Sequence, residues 1–530
     1  MVSTEGSRDR YLALACGALP GLFLLITSTT HLVEGEFVYD VKRMLQLGLM
    51  LVLFLAAALN PGLRNAFALQ LGRISTWVKA LLGLIIVLGI MSSAVNATST
   101  MHLAYSLLEV ALLSMLVLAA LVIAACRAVA GEVFDQVAIT LLALIAIAVG
   151  IQELLGVAAA LANDLEFFFR ISLMHYSWPR FYNQVQAWTL PVLAALPLIW
   201  SRSRSELLRS TWFQAFVCLN ALALYWYIIL MTGGRGVALS LLASFVICLL
   251  VFPATRRPTL RWHLPGLVLG VVLFFAIIGV QDRAAHVDST QAAPASTEPS
   301  KPLRANPDDW FENDEDESKF SRQSMAGRLT FESSGRIHTW RSAMREIVDR
   351  PVLGIGPMNI ACTGPDSRWA HPHNFAIQFT QEWGIPALLA LIAVLSATFL
   401  HLFRVLRRRS IGPMEDSTLA SLLAIGLLTA AAYSFLSGVM VMPASQVAGM
   451  LVGGWLMGKI PAESIPKSAV TARTAVACVM LGTLACATVV SFSLVEAGQR
   501  AYRQAFIPVV AQGAPRYWQE GKLCSYFDEY

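Results

Sequence analysis

Apolar runs of about 18 or more residues recur along almost the whole chain, and each is long enough to cross a bilayer as a helix. This constrains the fold more tightly than any other feature. In hydrocarbon every backbone N–H and C=O must be paired within the protein, which leaves only helices and closed barrels. A barrel would show alternating segments of about ten residues, whereas the runs here are continuous. Candidate spans lie near 11–30, 44–59, 76–94, 103–125, 134–158, 184–200, 212–231, 237–253, 264–281, 385–403, 418–440, 446–459 and 473–495. The second and twelfth are short, so the expected number is 12–13. Only 14% of the 530 residues are charged, against about 25% in an ordinary soluble domain. The expected class is an all-α polytopic membrane protein. The first run follows Arg8 and Arg10, lacks a clear small-residue cleavage site and is followed at once by further spans, so it reads as an anchor.

Basic residues set the orientation. Arg202, Arg204 and Arg209 share one short connection, Arg256, Arg257 and Arg261 another, and Arg404, Arg407, Arg408 and Arg409 a third. If spans alternate, Arg64, Arg73 and Arg127 fall on the same side, which the positive-inside rule makes cytoplasmic. The formal charge of +5 is then mostly an orientation signal spread over separate loops, and nucleic acid is not an expected partner. Residues 1–281 carry nine spans. Residues 282–383 form one long outer loop, with a flexible acidic part at 283–320 and a helical part at 333–383. Residues 384–495 carry the C-terminal spans, and 496–530 form a tail. Of eight cysteines, only Cys362 and Cys524 lie clearly outside spans, and no zinc-like spacing exists.

The long loop holds two kinds of sequence. Residues 308–317 are strongly acidic. Asp314 and Asp316 make an Asp-x-Asp pair of the kind that holds a divalent cation beside a sugar diphosphate. The competing and favoured reading is a solvated, self-repelling loop, because the run lacks the glycine and spacing of a calcium loop. No metal site is therefore expected. From Ser333 to Asp349 the character changes, with Ile337, Trp340, Met344 and Ile347 at helical spacing. This predicts an amphipathic helix against the outer membrane face, ended by Arg350-Pro351. Arg336 stands in its first turn. A cation there opposes the helix dipole, but a guanidinium beside free backbone N–H groups suits a bound phosphate.

Two further arginines invite the same reading. Arg235 lies in Thr232-Gly-Gly-Arg-Gly, where glycines permit close backbone approach to a ligand. Arg180 lies in Trp178-Pro-Arg-Phe-Tyr-Asn-Gln184, a setting that also suits an ordinary interfacial anchor. Arg170 and His175 are weaker neighbours. Three guanidiniums converging on one outer cavity would clamp a diphosphate. His371-Pro-His-Asn374 ends the loop immediately before the next span. The proline makes this segment extended, and Asn374 is a good cap for the next helix. An imidazole with an ordinary pKa of about 6.5 can accept a proton from a sugar hydroxyl at neutral pH. His373 is the leading candidate base, with His371 and His338 in support.

His373-Asn374, nine residues and then Gly384 closely resembles the outer-loop motif of O-antigen ligases. Gly335-Arg336 to Trp340, followed by Arg350-Pro-Val-Leu-Gly-Ile-Gly356, resembles the wider family of O-antigen ligases, O-antigen polymerases and protein O-oligosaccharyltransferases. Thr232-Gly-Gly-Arg235 and Arg180-Phe-Tyr-Asn183 are similar to that family too. Where the ligase motif usually continues to Gly, Thr or Tyr, this chain reads Gly384-Ile-Pro-Ala387. The resemblance implies a C-type glycosyltransferase-like fold with a long periplasmic loop. It also implies transfer of a preassembled glycan from undecaprenyl diphosphate to a sugar hydroxyl of lipid A–core, in lipopolysaccharide biosynthesis. The reaction would invert the anomeric carbon and need no cofactor, on the periplasmic face of the bacterial inner membrane. The other readings are a polymerase, a protein O-oligosaccharyltransferase, or a flippase for a lipid-linked anion. A flippase would be expected to carry ionisable residues at mid-membrane and repeat-related halves, and no clear repeat is present.

Overall fold

The computed structural model describes residues 4–30, 38–162, 180–291, 336–362, 371–407, 414–460 and 472–506. Its helices are, in chain order, α1 (Thr4–Thr29), α2 (Val38–Leu59), α3 (Pro61–Arg73), α4 (Thr76–Asn96), α5 (Thr100–Ala130) and α6 (Glu132–Ala162). Then come α7 (Arg180–Leu193), α8 (Leu196–Trp200), α9 (Glu206–Arg209), α10 (Thr211–Met231), α11 (Arg235–Val251), α12 (Pro253–Pro258), a π turn at Thr259–His263, and α13 (Leu264–Gln291). The C-terminal part holds α14 (Arg336–Asp349), α15 (Phe375–Trp383), α16 (Ile385–Arg407), α17 (Met414–Ser434), α18 (Pro443–Lys459) and α19 (Ala472–Phe506). Among the described residues there is no strand. The chain is an all-α polytopic membrane protein.

Ten helical stretches among the described residues are long and apolar enough to cross a membrane. The three other expected spans differ for local reasons. The run 184–200 is broken: Pro191 lacks the N–H of an interior helical residue, and α7 gives way to a turn at 194–195 before α8 resumes. Helices α11 and α18 have 17 residues each. The run read as 418–440 stops at Ser434, and residues 435–442 form a non-helical loop before Pro443 opens α18. Conversely, the connection at 61–73 is a helix. Asn60 caps it by accepting the Leu63 N–H at 2.8 Å, and Pro61 stands where no N–H partner is needed.

One large apolar core threads the bundle, and a second, small one lies at the end that carries the histidines. Ile85, Val110, Phe379, Trp383, Ala387 and Ala390 pack together there, joining α4, α5, α15 and α16. Trp383 stacks on Phe379 at 5.1 Å and lies against Gly89. This seats the short α15, and the loop ahead of it, on the ends of spans. At the opposite end of the bundle, Asp135 accepts from Arg127 at 3.0 Å, Lys459 at 3.1 Å and Trp455 at 2.7 Å. Lys459 also reaches Asp416 at 2.6 Å, which Arg202 contacts at 3.2 Å. These paired charges bind α5, α6, α17 and α18 together, far from the histidines.

Candidate functional site

His371-Pro-His-Asn374 is non-helical, and Asn374 caps α15 by accepting the Ile377 N–H at 3.1 Å. His371 is buried and His373 half-buried. Their rings meet edge to face, with centroids 4.3 Å apart. The backbone N–H of His373 donates to Nδ1 of His371 at 3.2 Å, so in the neutral ring the proton of His371 sits on Nε2. His373 has φ 53°, a left-handed conformation uncommon outside glycine. Such backbone strain persists only where surroundings over-determine it.

Two contacts supply that surrounding structure. Trp340 Nε1 on α14 donates to the Pro372 carbonyl at 2.7 Å. The His371 ring packs on Gly438 in the loop 435–442. That loop is fixed from below: Gln184 on α7 donates to Ser437 Oγ at 3.1 Å, and Arg43 on α2 donates to the Val441 carbonyl at 3.0 Å. Arg43 is 1% exposed and also donates to Gln46 and Gln446, each at 2.6 Å.

The segment Arg350–Gly356 wraps the far end of α15. Ile355 N–H donates to the Gln381 carbonyl at 2.8 Å and Gly356 N–H to that of Glu382 at 3.0 Å, while Ile385 N–H donates to the Pro351 carbonyl at 2.8 Å. Gly384 takes φ 85° with the Val352 carbonyl directly where a Cβ would stand, so only glycine fits there. Span ends hold this loop in turn. Ser92 Oγ donates to the Leu353 carbonyl at 2.5 Å and Arg350 to Asn96 Oδ1 at 2.8 Å. Gln381 Nε2 donates to Glu346 at 2.6 Å, tying α15 to α14.

The arginines arrive from two directions. The turn Thr232-Gly-Gly-Arg235 opens α11 and is latched to α7. Asn183 Nδ2 donates to Thr232 Oγ1 at 2.8 Å, and that hydroxyl donates back to Asn183 Oδ1 at 3.0 Å. Tyr433, near the end of α17, packs on Gly236. Arg336 opens α14, four residues before Trp340. Burial lowers the Arg336 guanidinium from its ordinary pKa, nearby Tyr433 raises it, and the like charge of Arg235 lowers it again. The two guanidiniums therefore feel each other, although they lie far apart in sequence.

The structure thus brings His371, His373, Asn374, Arg235 and Arg336 to one end of the bundle. The side chains of Arg180 and His338 lie outside the described residues, as do Arg170, His175, Asp314, Asp316 and Cys524. Among the described residues no group of three or more His, Cys, Asp or Glu could hold a metal ion. Tyr433, Gln184, Gly438 and Arg43 join the site without having been expected. For Arg43 a signal existed: a cation beside an apolar run is a functional candidate. Starting the second span at 44 placed it outside.

Fold and site together define a polytopic helical membrane protein with a basic, histidine-bearing site at one end of its bundle. Residues 220–392 match the family model described as O-Antigen ligase, which supports an O-antigen ligase family assignment. The matched stretch runs from α10 into α16 and contains the Arg235 turn, Arg336, the loop 350–356 and the histidine pair. It supports glycosyltransferase activity of the O-antigen ligase or polymerase type. No curated protein matches the chain.

Proposed function

We propose that this protein moves a preassembled O-antigen glycan from undecaprenyl diphosphate to a sugar hydroxyl of lipid A–core, with the site on the periplasmic face of the bacterial inner membrane. The observation that carries the reading is that the histidine pair lies on Gly438, in the loop that follows Tyr433, while Tyr433 lies beside Arg336 and against the Arg235 turn. The acceptor hydroxyl gives its proton to His373 as its oxygen attacks the anomeric carbon. The bond from that carbon to the diphosphate breaks, and the electron pair leaves with the phosphate. A single displacement inverts the centre. His373 takes the role of base because His371 is buried and spends its Nδ1 on the His373 backbone.

The leaving diphosphate gathers negative charge, and fixed cations stabilise it most where reorganisation is already complete. Arg235 and Arg336 supply that charge, with Arg180 as the third member of the clamp. The N-terminal end of α14, where Arg336 stands, adds its dipole to it. Their mutual repulsion at Arg336 is relieved when an anion binds between them. No metal is assigned a step.

The acceptor separates the neighbouring readings. Purified protein is incubated with a lipid-diphosphate glycan and, in parallel, rough lipopolysaccharide, a second lipid-linked glycan, or a Ser/Thr peptide. Product on lipopolysaccharide supports the ligase. Product only on the second glycan or the peptide indicates a polymerase or a protein oligosaccharyltransferase. Movement of donor between leaflets with no product indicates a flippase.

A further inference from the structure

The amphipathic helix α14 divides its apolar residues between two adjoining faces. Ala343 and Ile347 are buried against the protein, with Trp340 beside them. Ile337, Met344 and Val348 are instead 50%, 52% and 75% exposed. At helical spacing these three fall on one narrow arc next to the buried face. Arg341 and Arg345 are exposed and come next around the helix. The single apolar face expected from the sequence pattern is thus two, one for protein and one for something else.

We infer that the outward arc is a bilayer contact, with Ile337, Met344 and Val348 in the interface and Arg341 and Arg345 on the phosphates of anionic lipid headgroups. The position of α14 supports this. Arg350, just past its end, bonds Asn96, the last residue of α4. Pro351 bonds Ile385, the first residue of α16. So α14 lies level with the ends of two spans. Both turn most of their length outward: Met91 and Val95 are exposed on α4, and Ile385, Leu389 and Ile392 on α16. Exposed Val352 continues that apolar surface up to Val348. An in-plane helix with apolar residues below and arginines above suits the headgroup boundary. Long basic side chains there keep their charge at the surface. None of these contacts depends on the proposed reaction.

The test uses the full chain in lipid nanodiscs. Met344→Cys, Val348→Cys and Arg345→Cys proteins are labelled with bimane, and the signal of unsubstituted protein is subtracted. Quenching by phospholipid brominated high on the acyl chain is compared with quenching by aqueous iodide. We expect most of the fluorescence at 344 and 348 to be lost to brominated lipid and little to iodide, with the reverse at 345. Brominated phosphatidylglycerol should quench 348 more than brominated phosphatidylcholine, and Arg341→Gln with Arg345→Gln should abolish that difference. Iodide quenching equal at 345 and 348 would mean a water-facing arc and overturn the inference. Protection of 344 and 348 from both quenchers would mean that another segment of protein covers them, which overturns it equally.

Discussion

The ring of His371 occupies the space that a side chain on Gly438 would need: a Cβ there would come 2.9 Å from both Cε1 and Nε2. His371 in turn holds the backbone of His373 through its Nδ1. Gly438→Ala should therefore push the pair out of register. Overpacking of this kind costs about 1–3 kcal/mol of stability, while misplacing a reacting group by about 1 Å costs on the order of 10²-fold in rate. Turnover should fall far more than donor binding does. Equal losses in both, or unchanged turnover, would remove Gly438 from the support of the base.

Arg235 and Arg336 should tolerate lysine poorly. A bidentate guanidinium fits phosphate oxygens in a way that a point charge does not. We expect Arg235→Lys and Arg336→Lys to lose most transfer and to weaken binding of the lipid-diphosphate donor, measured by titration. Full activity with lysine at both positions would mean that only net charge matters.

Trp340→Phe keeps an aromatic ring but removes the N–H that reaches the Pro372 carbonyl at 2.7 Å. A hydrogen bond of this sort contributes on the order of 1 kcal/mol, so transfer should drop several-fold. Circular dichroism should show helix content unchanged. Wild-type transfer by this variant would show that α14 does not steady the histidine loop.

The acidic run gives a prediction of opposite sign. Chelation with EDTA should leave transfer intact, and Asp314→Asn with Asp316→Asn should behave as wild type. Activity that disappears with EDTA and returns with magnesium or manganese would assign the leaving-group charge to a metal.

Much of the site was legible because its parts sit in short local patterns. The non-helical His371-Pro-His segment, the Asn374 cap and the helix from Arg336 to Asp349 come from proline, capping and periodicity, each read within a few residues, whereas the left-handed backbone of His373 departs from the extended form expected there. The hydrogen bonds of 350–356 to 381–385 were not legible, because backbone pairing between loops leaves no side-chain period. The loop 435–442 was hidden for a different reason. Phe435, Leu436, Val439, Met440, Val441 and Met442 are as apolar as a span, and hydropathy does not register that the helix ends at Ser434. Arg43 reaches Val441 across 398 positions, a contact that no local pattern encodes. The split face of α14 is the subtler case: periodicity finds apolar residues on a helix but does not say which of two neighbours each will meet.

The most direct measurement compares wild-type protein with His373→Ala in one reaction, with a purified lipid-diphosphate glycan as donor and rough lipopolysaccharide as acceptor. Loss of a general base typically costs about 10²–10⁴-fold. We expect joined lipopolysaccharide from the wild type, a loss of that size in the variant, and donor binding retained in both. Joined product at equal rates from both proteins, or none from the wild type in the presence of both substrates, would contradict the role given to His373 and the reaction it serves.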